Sequence, residues 1–406
     1  MVAFNMGLIV CITEIILYEE IKMPETVKAA VLVEPGRLEI QGFPRPEIEE
    51  GAMLVKPLMC GICGTDKHGY NGEAVQYAGT PREVNGPYPA IPGHENVGEI
   101  VEMRQTKSES LKDFYGKELK EGDRIVISPD IMCGKCYWCK HSFGYTWCDN
   151  IRSYGHLESS VPPHIFGGWG ELMYVFPGSH IFKISDEVSN EIGVLAEPMA
   201  VTYPLDIAKG HSSLPHEGFS SGDTVVVYGV GPLGLCHLIK ARLLGAGKVV
   251  AIDKSEYRLK FCKDYGADYT LNVDNTTAEE RRQLILDITD GRGADVVIEC
   301  AGVKEVLVEG IEMLRQGGTF IEVGHFVDVG EVKLNPHRHL CAKNIRLIGQ
   351  MNLCYTGMMP SIQLMMANRD RFDFDGIITH KFPFTQSLKG LLKSMEPDCM
   401  KVAIIP

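Results

Sequence analysis

Four cysteines stand within sixteen residues, as Cys133-x2-Cys136-x2-Cys139-x8-Cys148. Four thiolates at that spacing suit a tetrahedral structural zinc whose closed shell fixes a loop, and Gly134 permits the tight turn between ligands. A second set of groups with metal-binding chemistry is dispersed along the chain. It comprises Cys63-Gly64-Thr65-Asp66-Lys67-His68, then Gly93-His94-Glu95 and, much later, Glu197-Pro198. A catalytic zinc takes about three protein ligands and keeps one position open, which one thiolate, one imidazole and one carboxylate would satisfy.

A third element has cofactor chemistry. Gly229, Gly231 and Gly234 form a G-x-G-x-x-G run, with Asp253 following it. The first glycine makes a tight turn, the second lets the backbone approach a pyrophosphate, and the third lets helix and strand pack closely. A helix N-terminus beyond the run offers N–H groups and partial positive charge to phosphates. Asp253 would accept hydrogen bonds from the adenosine ribose and repel a 2′-phosphate, which favours NAD over NADP. Lys254 and Arg258 act the other way, because either could reach a phosphate, so Arg258 also belongs among the cofactor-binding candidates.

These groups need elements to hold them. Residues 27–33, 52–58, 97–103 and 123–128 read as strands from alternation and β-branched content, separated by Gly/Pro loops. Residues 69–92 and 104–121 read as long loops. After Ser221 the texture changes. Residues 224–228 (TVVVY) form a continuous apolar run, as in a strand buried on both faces. Helical patterns at 232–244, 256–265 and 304–314 then alternate with strands at 248–253, 295–299 and 319–323, with Ser255 as a helix cap. Strand-and-loop texture returns near 345. The expected fold class is α/β, a doubly wound parallel Rossmann sheet set inside a mainly β domain. The expected divisions are an N-terminal extension at 1–22, a catalytic domain at 23–196 with its cysteine lobe, a dinucleotide-binding domain at 197–345 and a return segment at 346–406.

Composition narrows the function. The chain has 406 residues, 45% of them hydrophobic, enough for two cored domains. Its net charge of −13 argues against nucleic acid as a partner. No histidine pair follows the cysteines at finger spacing. The apolar stretch 6–18 is too short to span a bilayer, which takes about 20 residues. The chain opens without the features of a signal peptide, and its thirteen cysteines include a metal-like cluster rather than a disulfide framework, so a cytoplasmic location is expected.

In order, C-G-T-D-x-H, G-H-E, the four-cysteine lobe, A-E-P and G-x-G-x-x-G resemble the zinc-containing medium-chain dehydrogenase/reductase family from Lys28 to the C-terminus. A-E-P in place of a cysteine is similar to its polyol and threonine dehydrogenase branch. The resemblance implies a GroES-like catalytic domain, one catalytic and one structural zinc, NAD, a small alcohol or polyol substrate, and a homo-oligomer, a tetramer before a dimer. It implies Cys63 and His94 as catalytic-zinc ligands, with Glu95 and Glu197 competing for the carboxylate role or exchanging in turnover. Asp66 would orient His94, with a turn-stabilising role as the alternative. Thr65 would take the substrate proton and pass it through the cofactor ribose to His68, unless these are a capping hydroxyl and a surface histidine. Residues 299–302 resemble the segment near the nicotinamide ribose, with Cys300 structural. Tyr70 and Trp169 are divided between pocket lining and packing. One departure is the eight-residue gap before Cys148, where the family has seven. Rival readings are a zinc-free NADPH quinone or enone reductase and a non-catalytic NAD-binding protein on the same fold.

Overall fold

The computed structural model describes residues 26–73, 75–107, 109–141, 147–210 and 218–406, so the expected extension at 1–22 lies outside the described residues. The chain folds as a Rossmann-type parallel sheet and a mainly β domain.

The parallel sheet has six strands in the spatial order Tyr269–Asn272, Lys248–Asp253, Thr224–Tyr228, Ala294–Glu299, Leu314–Glu322, Arg346–Gly349. In sequence terms this is 3-2-1-4-5-6, with the order reversing between the first and fourth strands, where a crevice opens at the carboxyl ends. Thr224–Tyr228 is buried throughout, as its apolar run requires. Each of Val225, Val226 and Val227 has no exposed surface and contributes about 1.5–3 kcal/mol on burial. The helix Pro232–Leu244 starts with proline in its first turn and stops at Gly245, whose φ of +105° closes it in the left-handed conformation. Ser255 accepts the Arg258 N–H at 3.1 Å and caps Glu256–Asp264, worth about 1 kcal/mol.

The β domain is built on a seven-stranded sheet in which Met53–Gly61 is central. It pairs antiparallel with Glu95–Met103, with Met173–Val175 and with the C-terminal strand Lys401–Ile405. The last of these brings the end of the chain beside the Gly61–Glu95 register pair. Among the described residues no helix is long and apolar enough to cross a membrane.

Two expected divisions fall differently. The edge at 196/197 lies inside one continuous helix, Asn190–Ala200, capped by Ser189 and buried over most of its length. It packs against Glu95–Met103 on one side and Pro232–Leu244 on the other, so it joins the domains. The edge at 345/346 precedes Arg346–Gly349, which pairs parallel with Leu314–Glu322 and completes the Rossmann sheet. Residues beyond it are not only strand and loop, since Met358–Ala367 and Ser387–Met395 are helices. Alternation is faint there because Arg346–Gly349 is an edge strand with half its residues exposed.

Candidate active site

Cys63 is the residue before the helix Gly64–Asn71, and its N–H donates to Asp66 Oδ2 at 2.8 Å. The other oxygen of Asp66 accepts the Gly93 N–H at 3.3 Å and lies 4.0 Å from His94 Nδ1. Asp66 therefore ties the backbones of the two ligand-bearing loops together, and its contact with the imidazole is longer than a hydrogen bond, unlike the expected His94–Asp66 orientation. Glu95 opens its strand opposite Gly61, where a side chain would put Cβ 1.8 Å from Glu95 Oε2, so only glycine leaves room for the carboxylate.

These elements gather Cys63, His94 and Glu95 with ligand atoms within 4.8 Å of one another. His94 Nδ1 is buried without a hydrogen-bond partner. Glu95 pairs with Lys401 Nζ at 2.5–2.6 Å, and that ammonium also donates to Ile62 O at 3.1 Å. Burial would lower the Lys401 pKa, but the Glu95 carboxylate more than reverses this and holds it above its ordinary value. Glu197 lies on the same cavity and outside the gathered triple. Burial, reinforced by Glu95, pushes its carboxyl up to about 7. Three buried carboxylates (Asp66, Glu95 and Glu197) thus sit near one buried ammonium, and a soft–borderline donor set with an excess of negative charge fits a divalent zinc.

In the lobe, Cys133, Cys136, Cys139 and Cys148 also gather within 4.8 Å. The sulfur pairs 133–139 and 136–139 are 3.9 and 3.4 Å apart. Tetrahedral zinc–thiolate geometry puts sulfurs roughly 3.8 Å apart. Backbone N–H groups of Cys133 and Asn150 point at Cys148 Sγ at 3.3 and 3.4 Å, as thiolate acceptors require. The longer gap before Cys148 does not remove it from the cluster.

One cavity of about 630 Å³ joins Cys63, His94, Glu95 and Glu197 to the glycine loop. Its volume is within the usual range for ligand sites, about 300–1,000 Å³. Gly229 has φ +75°, and a Cβ there would be 2.6 Å from the Ala301 backbone across the switch point. At Gly234 a Cβ would be 1.9 Å from Gly229 O. Gly234→Ala should therefore cost about 1–3 kcal/mol by overpacking and weaken dinucleotide binding by about tenfold or more. Titration of NADH fluorescence and a melting curve check it, and unchanged binding would contradict the tight helix–strand contact.

Asp253 lines the cavity, with Oδ2 accepting from Val230 N and Oδ1 from Ser255 N, both at 2.8 Å, so it also braces the glycine loop. Gly231, Lys254 and Arg258 line it too, and Arg258 Nε donates to Cys399 O at 3.2 Å. Thr65 and His68 stand one helical turn apart and face the same cavity. Thr65 Oγ1 is 3.6 Å from Cys63 Sγ, while His68 Nδ1 is 2.9 Å from Glu73 Oε2 and its ring stacks on Phe326. Gln76 brings the loop expected at 69–92 to the cavity wall. Trp169 is fully buried in a core cluster, and Tyr70 packs against the same cluster, so both belong to packing.

Lys401 was not among the expected site residues, its signal being a charge that opens a strongly apolar strand, and Glu299 was placed beside the nicotinamide ribose with no role of its own. Glu299 is fully buried, and its Oε1 accepts the N–H groups of Ala301 and Gly302 at 2.7 and 2.8 Å. It therefore shapes the backbone that meets Gly229. It stands in register with Glu322, and burial followed by that neighbour's charge pushes its carboxyl up to about 7. A carboxyl raised on folding binds its proton more tightly in the native state, so stability falls as pH rises from about 4.5 to about 7. Glu299→Gln keeps the acceptor and removes the titration. The melting temperature of the variant should lose part of this decline between pH 5 and 8, and parallel curves would contradict it.

Known proteins match this arrangement. The description "Alcohol dehydrogenase GroES-like domain" fits residues 49–186, and "Zinc-binding dehydrogenase" fits residues 232–365. L-threonine 3-dehydrogenase of Thermococcus kodakarensis is 30% identical over 362 residues, covering 89% of this chain and 92% of that protein. Sorbitol dehydrogenase of Bacillus subtilis is 28% identical over 387 residues, covering 95% and 98%. An alcohol dehydrogenase of Thermotoga maritima superposes with a TM-score of 0.83 at 33% identity, covering 94% of this chain and 100% of that one. Fold and site define the class, a zinc-dependent dehydrogenase using a nicotinamide cofactor. The chain belongs to the zinc-containing medium-chain dehydrogenase/reductase family, in its polyol and threonine dehydrogenase branch.

Proposed function

We propose that this chain oxidises a CH–OH carbon of a small alcohol, polyol or sugar, passing the carbon-bound hydride to NAD and the hydroxyl proton to solvent. One observation carries the reading: Cys63, His94 and Glu95 converge on the cavity that also holds the glycine loop. Cys63, His94 and a carboxylate, Glu95 or Glu197, would hold the catalytic zinc, and Cys133, Cys136, Cys139 and Cys148 the structural one. When bound, the catalytic zinc supplies Lewis acidity that eases loss of a hydroxyl proton near neutral pH. Thr65 would accept that proton at its Oγ1, and His68, which lines the same cavity, is paired with Glu73 and is partly exposed, would release it to solvent. Gly229, Gly231 and Gly234 would receive the pyrophosphate, and Asp253 the adenosine ribose. Relatives named as sorbitol and threonine dehydrogenases support a hydroxylated substrate. A cytoplasmic homo-tetramer completes the reading.

A screen for NADH formation across polyols, aldoses and simple alcohols, with and without chelator, tests it. Chelator-sensitive NADH formation is expected, and its absence with every alcohol in zinc-loaded protein would overturn it. Cofactor choice has its own test. Asp253→Gly should shift the NAD/NADP ratio of kcat/KM toward NADP by about tenfold or more, since Lys254 and Arg258 border the same wall. An unmoved ratio removes the role given to Asp253.

A further inference from the structure

Among the described residues lining the cavity, Asp130 is a buried carboxylate that neither the zinc set nor the cofactor loop uses. Asp130 is 3% exposed and lines the cavity together with His94 and Glu197. Its position is set by a short antiparallel pairing, Asp130–Ile131 with Arg152–Ser153, in which Asp130 faces Ser153. Ser153 Oγ donates to Asp130 Oδ1 at 2.5 Å, which fixes the carboxyl plane. Oδ2 is buried and has no hydrogen-bond partner. The same strand leads three residues on to Cys133, so the cysteine lobe anchors one end of this wall. Ser153 and His156 continue the wall, the His156 ring lying 5.3 Å from that of His94. Burial keeps the His156 imidazole neutral at physiological pH, with its pKa lowered to about 3.

A buried carboxylate oxygen left without a donor is costly, and native proteins rarely leave one so. A ligand that brings an O–H or N–H into the cavity removes the cost, and a hydrocarbon cannot. We propose that Asp130 is a specificity-determining residue whose free oxygen receives a second donor group of the substrate, a hydroxyl or an ammonium, on a carbon other than the one oxidised. The proposal rests on the dehydrogenase reading above and deepens it, from alcohols in general to substrates carrying at least two polar groups. Sites built to bind a substrate hydroxyl reject the analogue that lacks it far more strongly than apolar pockets reject a change of one methylene.

The test measures kcat and KM with NAD for butan-2-ol, butane-2,3-diol, erythritol and 3-aminobutan-2-ol. The enzymes are the zinc-loaded wild type, Asp130→Asn and Asp130→Ala. In the wild type, kcat/KM for at least one donor-bearing substrate should exceed that for butan-2-ol by about 100-fold or more, and Asp130→Ala should collapse this ratio by at least tenfold. Asp130→Asn separates the two donors. It keeps an acceptor and the shape, so selectivity for a hydroxyl largely survives, whereas selectivity for an ammonium falls as far as in the alanine variant. Zinc content and melting temperature show whether each variant is intact, and the asparagine variant carries the test if the alanine variant does not fold. A selectivity ratio unmoved by substitution, or a wild type that prefers butan-2-ol, overturns the role of Asp130 while leaving the dehydrogenase standing. No turnover of any alcohol by zinc-loaded wild type overturns both.

Discussion

Cys63→Ser should lower kcat/KM by about 10³-fold or more and reduce bound zinc from two to one per chain, with NADH binding and the melting transition of the fold retained. The magnitude follows from the several kcal/mol that Lewis-acid assistance supplies, at about 1.4 kcal/mol per tenfold in rate. The selectivity follows from the structure. Cys63 touches the site through its sulfur, while its backbone N–H, bonded to Asp66, starts the helix that carries Thr65 and His68. Serine keeps that N–H and removes only the thiolate. The four-cysteine cluster is a separate set of ligands, and the glycine loop belongs to a different sheet. Two measurements therefore separate the outcomes, zinc per chain by elemental analysis and NADH affinity by fluorescence. Full activity with two zincs retained would mean that Cys63 holds no metal. Loss of activity with both zincs retained would move the role of the thiol from ligand to packing.

What could be read from the sequence was whatever is local. The TVVVY strand, the glycine loop, its following helix and the capping Ser255 are each decided by residues a few positions apart, and all four elements form where periodicity and caps placed them. The cysteine lobe was readable because its ligands are crowded into sixteen residues. What escaped depends on pairing at a distance. Lys401 reaches Glu95 across 306 residues, because the last strand adds antiparallel to Met53–Gly61. Asp130 owes its place to pairing with Ser153. For Asp66 the resemblance implied the imidazole as partner and left a turn-stabilising role as the alternative, because spacing cannot show which donor a carboxylate will meet. The Gly93 and Cys63 amides are nearer. The domain edge at 196/197 was misplaced because a change of texture marks where sheets alternate, and a buried helix shared by both domains carries no such mark.

The largest stability change should follow Lys401→Met. Lys401 and Glu95 are 2% and 1% exposed, and the ammonium is the counter-ion on which the carboxylate depends. Removing one partner of a buried pair leaves an uncompensated charge, at a cost of about 3–5 kcal/mol. Methionine fills most of the volume, so the loss is electrostatic. The cost should depend on the catalytic zinc, since a divalent cation held by Cys63 and His94 beside Glu95 would supply the missing positive charge. Denaturant unfolding of Lys401→Met in the wild-type background and in Cys63→Ser makes the comparison, with the slope m checked for constancy. The full penalty is expected in the serine background, and at least about 1 kcal/mol less where the zinc is present, a non-additivity typical of residues sharing one site. Equal penalties in the two backgrounds would mean that Glu95 does not feel the metal. The carboxylate ligand would then be Glu197, whose protonation near neutrality the metal would have to displace. A penalty below about 1 kcal/mol in both would contradict the ion pair itself as a determinant of this fold.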